Sequence, residues 1–229
     1  MGPIGLFGGT FDPIHYGHLR TAFEMLEALQ FAEVRFVPSG DPPHRDGVFA
    51  TQAQRLAMVE AATANEPGFI VDTCELERDG PSYTFDTLQA KRVEFSARPI
   101  GLILGMDAFL GLASWHRWDQ LLDLAHIVVA HRPGWQVPDT GPLGELLAGH
   151  RTQRATELHE APHGRIHVHA VTQLEISSTA IRELVGAGRD PRYLMPDAVR
   201  DIIVEEGCYQ DPAPRAGKDS EPERSTNQV

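Results

Sequence analysis

At 229 residues, with 41% hydrophobic and 23% charged residues, the chain can bury one large core, which excludes wholesale disorder. Thirty-two Asp and Glu against twenty Lys and Arg leave a formal charge of −12, which excludes bulk binding to nucleic acid or an anionic membrane. Cys74 and Cys208 stand far apart without CxxC spacing, and no apolar run approaches the ~20 residues that span a bilayer, so the expectation is a soluble, cytoplasmic protein without a disulfide scaffold.

In chain order, residues 3–9 (PIGLFGG) predict a short buried strand ended by glycine. A helix is expected from about Gly17 to Gln30, with Leu19, Ala22, Phe23, Leu26 and Leu29 on one face. Val34 to Val37 predicts a second strand, stopped by Pro38 and Gly40 and followed by the loop DPPHRDG. TQAQRLAMVEAATAN predicts a helix opened by a capping box of Thr51 and Gln54, and FIVDTCEL (69–76) a strand. SYTFDTLQAKRVEF reads as a capped helix, PIGLILG (99–105) as a buried strand, WDQLLDLA as helical and HIVVAHRPG as a strand ending in turn residues.

After Trp135 the pattern loosens into what resembles an insertion with room for a short helix, before a strand at 166–171. A helix from Ser178 and a last helix over PDAVRDIIVEEG, stopped by Gly207, complete the pattern. Strands alternating with helices predict an α/β fold: a Rossmann-like, doubly wound parallel sheet with helices on both faces and a small C-terminal helical part. Residues 1–210 are expected to form a single domain. Residues 211–229, with one large apolar residue among Pro, Ser, Gly and charges, are expected to be a disordered tail.

Chemistry concentrates first at GLFGGTFDPIHYGHLR, residues 5–20. Gly8 and Gly9 fall where the first strand hands over to the first helix, the place where open α/β sheets bind ligands. Lacking Cβ atoms, they let backbone N–H groups approach an anion, and the helix N-terminus adds its orphan donors. The letters fit neither a Walker A loop nor GxGxxG. They carry His15-Tyr16-Gly17-His18 instead, an HxGH element whose imidazoles lean to one side and can donate to phosphate oxygens. No third ligand stands at a spacing that would make these histidines a zinc site.

The second concentration is EISSTAIRE at 175–183, where Ser177, Ser178 and Thr179 sit at a helix N-terminus and Arg182 follows one turn later. A plain N-cap with a solvated arginine is the alternative.

GGTFDPIHYGH resembles the signature of the HxGH nucleotidyltransferases, and among them the bacterial nicotinate-mononucleotide adenylyltransferases; the resemblance extends to about Tyr209. It implies that ATP and nicotinate mononucleotide are the substrates and deamido-NAD and pyrophosphate the products, with Mg²⁺ accompanying ATP. It assigns His15, His18 and Arg182 to catalysis, and Gly8, Gly9, Thr10, Gly105, Asp107, Ser177, Ser178 and Thr179 to ATP. Asp107 could instead cap the helix that follows it. On the acceptor side the resemblance implies that Trp115 stacks on the pyridine ring, Tyr83 and Thr84 hold its carboxylate, and Arg45 and Arg132 face phosphates. Core packing is the other role for Trp118. Other acceptors, nicotinamide mononucleotide or phosphopantetheine, and a non-catalytic ATP sensor stay open, as does homo-oligomer formation.

Overall fold

The computed structural model describes residues 2–40, 47–131, 138–172 and 174–210. Seven strands form one sheet in the order β3-β2-β1-β4-β5-β7-β6, and every pair is parallel. They are β1 (Ile4–Gly9), β2 (Glu33–Pro38), β3 (Phe69–Val71), β4 (Ile100–Gly105), β5 (His126–His131), β6 (Arg151–Thr152) and β7 (Ile166–Ala170). The helices are α1 (Tyr16–Ala28), α2 (Gln52–Thr63), α3 (Thr84–Phe95), α4 (Met106–Leu110), α5 (Gly141–His150), α6 (Ser178–Gly186) and α7 (Asp197–Glu205).

Alternation along the central strands splits the interior into two cores, because successive side chains of a strand point to opposite faces. Ile4 and Leu6 of β1, Leu102 and Leu104 of β4, and Ile127 and Val129 of β5 join Phe85 and Leu88 of α3 on one face. Phe7, Ile103 and Val128 join Met25 of α1, Met58 of α2, Ile181 of α6 and Ile203 of α7 on the other. Both faces are therefore covered, as a parallel sheet requires. Gly5 and Gly101 are glycine for a packing reason. A Cβ on Gly101 would stand 2.8 Å from the Phe31 ring, and one on Gly5 2.9 Å from Ile103 Cδ1.

The capping box forms as expected: Gln54 N–H donates to Thr51 Oγ1 (3.2 Å), and Thr51 N–H donates to Gln54 Oε1 (2.9 Å). This closure contributes on the order of 1 kcal/mol. Three expectations need correction. The strand over 69–76 stops at Val71: the Asp72 N–H makes a last bond to Phe36 O of β2 (2.9 Å), while its carboxylate meets Lys91 Nζ at 2.6 Å and accepts from the Cys74 N–H, which turns the chain. WDQLLDLA is a 3₁₀ segment over Trp118–Asp123 and not an α-helix. The apparent insertion after Trp135 supplies α5 and the edge strand β6, so it extends the sheet. The expected tail lies outside the described residues.

The strand order reverses between β1 and β4, whose neighbours run outward in opposite directions. Such a switch point opens a crevice at the carboxyl ends of the two strands. Here those ends are Gly8, Gly9 and Gly105.

Candidate active site

A cleft of about 340 Å³ occupies the switch point. Gly8, Gly9 and Thr10 line it from β1, Gly105 from β4, Tyr83 and Thr84 from the head of α3, and Trp115 and His116 from the segment after α4. Side chains built on Gly8 or Gly105 would meet nothing within 4 Å, so both strand ends present bare backbone to open space. Sequence-predicted residues for both the nucleotide and the acceptor thus share one cavity.

The HxGH element lies beside it. His15 is the N-cap of α1, and the Gly17 N–H donates to its Nδ1 at 3.1 Å. Burial pushes the imidazole down from 6.5 to about 4, so the ring is neutral at neutral pH. With Nδ1 accepting, the proton stands on Nε2, which makes His15 a hydrogen-bond donor through that atom. Gly17 is required here, since a Cβ would approach the His15 ring to 2.9 Å. His18 stacks on His15 with centroids 3.8 Å apart and meets the Phe11 edge at 5.2 Å. Each imidazole is thus fixed by its neighbours, His15 by the Gly17 N–H and His18 by the stacked ring and Phe11.

Two motifs separated by more than 150 residues close on each other. Ser177 caps α6 by accepting from Ala180 N–H (3.1 Å), while Ser178 Oγ donates to Pro13 O (2.9 Å). The Arg182 guanidinium donates to Asp12 O (2.7 Å) and to Thr179 Oγ1 (3.3 Å), and lies 4.5 Å over the Phe49 ring. Ser178 and Arg182 therefore bind the Asp12-Pro13 turn, two residues ahead of His15 in the chain. Asp107 sits exposed in the first turn of α4; the N-cap there is Gly105, so the alternative capping role does not hold.

Against the expectation of a capped helix, Tyr83 is the N-cap of α3 and no side chain caps it, because Ser82 lies outside the cap position and Tyr83 has no short acceptor to offer the first-turn amides. The Tyr83 N–H donates to Pro81 O (3.1 Å), so the uncapped first-turn amides begin at Thr84. The Tyr83 ring lies 4.5 Å from His116. Trp115 packs partly on the core behind it while its residue lines the cleft, and Trp118 packs on the same core without reaching the cleft. Arg45 and Arg132 lie outside the described residues. His126 is structural: its Nδ1 accepts from Arg165 N–H (3.0 Å), its Nε2 donates to Ala161 O (2.8 Å), and burial holds it near 4.

Sequence reasoning missed the frame under this turn. The buried Asp12 carboxylate accepts from Phe49 N–H (2.8 Å), Ala50 N–H (3.1 Å) and the Tyr209 hydroxyl (2.8 Å). Burial and the adjoining Asp12 charge push the Tyr209 phenol far up, so it remains a donor. Arg55, 1% exposed, donates from Nη1 to Thr10 O (2.8 Å) and from Nη2 to Ser39 O (2.7 Å), tying the end of β1 to the end of β2. A signal for Arg55 existed. It shares the inward stripe of α2 with Met58, Val59 and Thr63, a place where a cation must find buried acceptors.

Among the described residues no group of three or more His, Cys, Asp or Glu could hold a metal ion, and no helix is long and apolar enough to cross a membrane. A parallel sheet with a glycine-lined cleft at its switch point, flanked by preset imidazole donors and a helix-borne arginine, defines a nucleotide-binding α/β protein of the nucleotidyltransferase class.

The model of the cytidylyltransferase-like family matches residues 6–184. A probable nicotinate-nucleotide adenylyltransferase of Aeromonas hydrophila is 51% identical over 91% of this chain and 97% of its own. One of Pseudomonas aeruginosa is 47% identical over 91% and 98%. The fold is similar to that of Plasmodium falciparum nicotinic acid mononucleotide adenylyltransferase complexed with NaAD, with a TM-score of 0.70 at 16% identity, covering 92% of this chain and 98% of that one. The chain belongs to the cytidylyltransferase-like family, in its nicotinate-nucleotide adenylyltransferase branch.

Proposed function

We propose that the chain transfers the adenylyl group of ATP to nicotinate mononucleotide, giving deamido-NAD and pyrophosphate. The observation that carries the reading is the docking of Ser178 and Arg182 onto the Asp12-Pro13 turn beside His15 and His18. It brings a guanidinium and two imidazoles to the turn that follows β1, whose Gly8, Gly9 and Thr10 line a cleft shared with Trp115 and the uncapped head of α3.

In this mechanism the acceptor's phosphate oxygen attacks the α-phosphorus of ATP in line. An O–P bond forms there as the α–β bridging bond breaks, and pyrophosphate leaves with the bridging electron pair. The attacking phosphate is already ionised at neutral pH, so no general base is required. Catalysis reduces to positioning and to stabilising negative charge spread over the transferring group. His15 donates through Nε2, and His18 stands beside it as the second donor. Gly8, Gly9 and Thr10 admit the phosphates, and Gly105 and Asp107 border the adenosine. Ser177, Ser178 and Thr179 at the α6 head serve the β- and γ-phosphates, and Arg182 reaches the same place from one turn on. Trp115 stacks on the pyridine ring, Thr84 and Tyr83 receive its carboxylate, and Arg45 and Arg132 face phosphates.

The donor set suits a metal that arrives on the nucleotide, since Mg²⁺ favours phosphate oxygens and water over an all-protein cage. When bound, Mg²⁺ supplies charge neutralisation on the triphosphate. With ATP and nicotinate mononucleotide, a chelator should abolish pyrophosphate release, and added Mg²⁺ should restore it. Full turnover in the chelator would overturn the role given to MgATP.

A further inference from the structure

Glu75 is the only acidic side chain among the described residues that line the cleft, and it is 7% exposed. An anion in a site proposed to hold a triphosphate and a carboxylated mononucleotide opposes binding unless its charge is directed elsewhere. The structure directs it. Thr87 Oγ1 donates to Glu75 Oε1 at 2.7 Å, and the Ser82 hydroxyl bonds to the same carboxyl group.

Each hydroxyl is itself held. Gly40 N–H donates to Ser82 Oγ (3.0 Å), which links the carboxyl to the end of β2. Arg78 Nη1 donates to Thr87 Oγ1 (3.2 Å), which links it to the loop after β3. The backbone is close as well: a Cβ on Gly40 would stand 2.4 Å from Glu75 O. Ser82 and Thr87 bracket Tyr83 and Thr84, so one buried carboxyl group grips the α3 head on both sides of its uncapped amides. Burial pushes the Glu75 carboxyl up, while the two hydroxyls act in the opposite direction.

We propose that Glu75 is a positioning residue for the acceptor: by holding Ser82 and Thr87 it fixes the α3 head that receives the ring substituent of the mononucleotide, while remaining outside the chemistry. This rests on the acceptor assignment above. Amides aimed by a fixed frame bind a ring substituent more tightly than the same amides left to move, and the difference appears in acceptor binding rather than in the adenylyl-transfer step.

The test measures KM for each substrate and kcat for the full chain and its Glu75→Ala and Glu75→Gln variants. In Glu75→Ala the acceptor KM should rise about tenfold or more while the KM for ATP and kcat stay within about threefold. Glu75→Gln, in which an NH2 donor replaces one acceptor oxygen and the charge is lost, should fall between. An unchanged acceptor KM, or equal rises in both KM values, overturns the proposal. Should Glu75→Ala fail to fold by circular dichroism, Glu75→Gln decides alone: a selective rise of about threefold supports the role and none refutes it. If the wild type uses only the amide mononucleotide, the acceptor assignment falls, and Glu75 is then judged on the KM for that acceptor.

Discussion

Replacing His18 by alanine should lower the rate of pyrophosphate release by about 10²- to 10³-fold, the cost of removing one pre-oriented donor from developing charge, or ~3–4 kcal/mol. The size follows from pre-organisation. His18 is stacked on His15 at 3.8 Å and backed by the Phe11 edge, so no reorganisation accompanies charge growth on the transferring phosphorus. His15 should survive the change, because its N-cap geometry and tautomer depend on Gly17 N–H rather than on its neighbour. ATP affinity, measured by calorimetry, should therefore fall by less than about tenfold, since the interaction is made mainly in the transition state. Turnover within a factor of about three of wild type would remove His18 from the mechanism.

Arg55→Met should destabilise the protein by about 3–5 kcal/mol, a large share of the ~5–15 kcal/mol available to a domain. Methionine matches the volume of the guanidinium stem but leaves Thr10 O and Ser39 O buried without their donors, with Gly40 O at 3.4 Å also losing contact. Each buried acceptor left unmet costs about 1–3 kcal/mol. Burial lowers the guanidinium's affinity for its proton, but Arg retains it. Lysine should rescue little, because one ammonium cannot fork to carbonyls on two strands. A urea titration followed by tryptophan fluorescence reads the effect; a loss below about 1 kcal/mol would mean that the strand ends relax or admit water at little cost.

The central sheet was legible because its strands are short apolar runs closed by glycine or proline, as in PIGLFGG and PIGLILG, and buried parallel strands need nothing more. The helix starts were legible where local chemistry announces them, at Thr51 with Gln54 and at Ser177. Elements defined by a partner were not. Strand β3 ends where Asp72 meets Lys91, nineteen residues on, and β6 is a strand only because β7 lies beside it.

The same division runs through the site. GGTFDPIHYGH and ISSTAIR each suggested a phosphate, and of the residues proposed for nucleotide and acceptor, Gly8, Gly9, Thr10, Gly105, Tyr83, Thr84 and Trp115 line one cleft. The sequence could not show that Arg182 reaches the Asp12 carbonyl, or that Tyr209, near the end of the described residues, closes on the Asp12 carboxylate. Such long-range contacts have no local pattern. Arg55 and Glu75 are the instructive cases: a cation on an apolar helix stripe and an acid in a strand-like run both mark buried polar groups whose partners only the fold supplies.

The most direct test of the whole account is a pyrophosphate-release assay with MgATP and, in parallel, nicotinate and nicotinamide mononucleotide. A site whose uncapped α3 amides receive a carboxylate should prefer the acid, with kcat/KM higher by at least about 100-fold, since the neutral amide forfeits charge-assisted bonds and brings an extra donor. Deamido-NAD should accumulate in step with pyrophosphate. Equal rates with the two acceptors, or no pyrophosphate with either, would contradict the assignment.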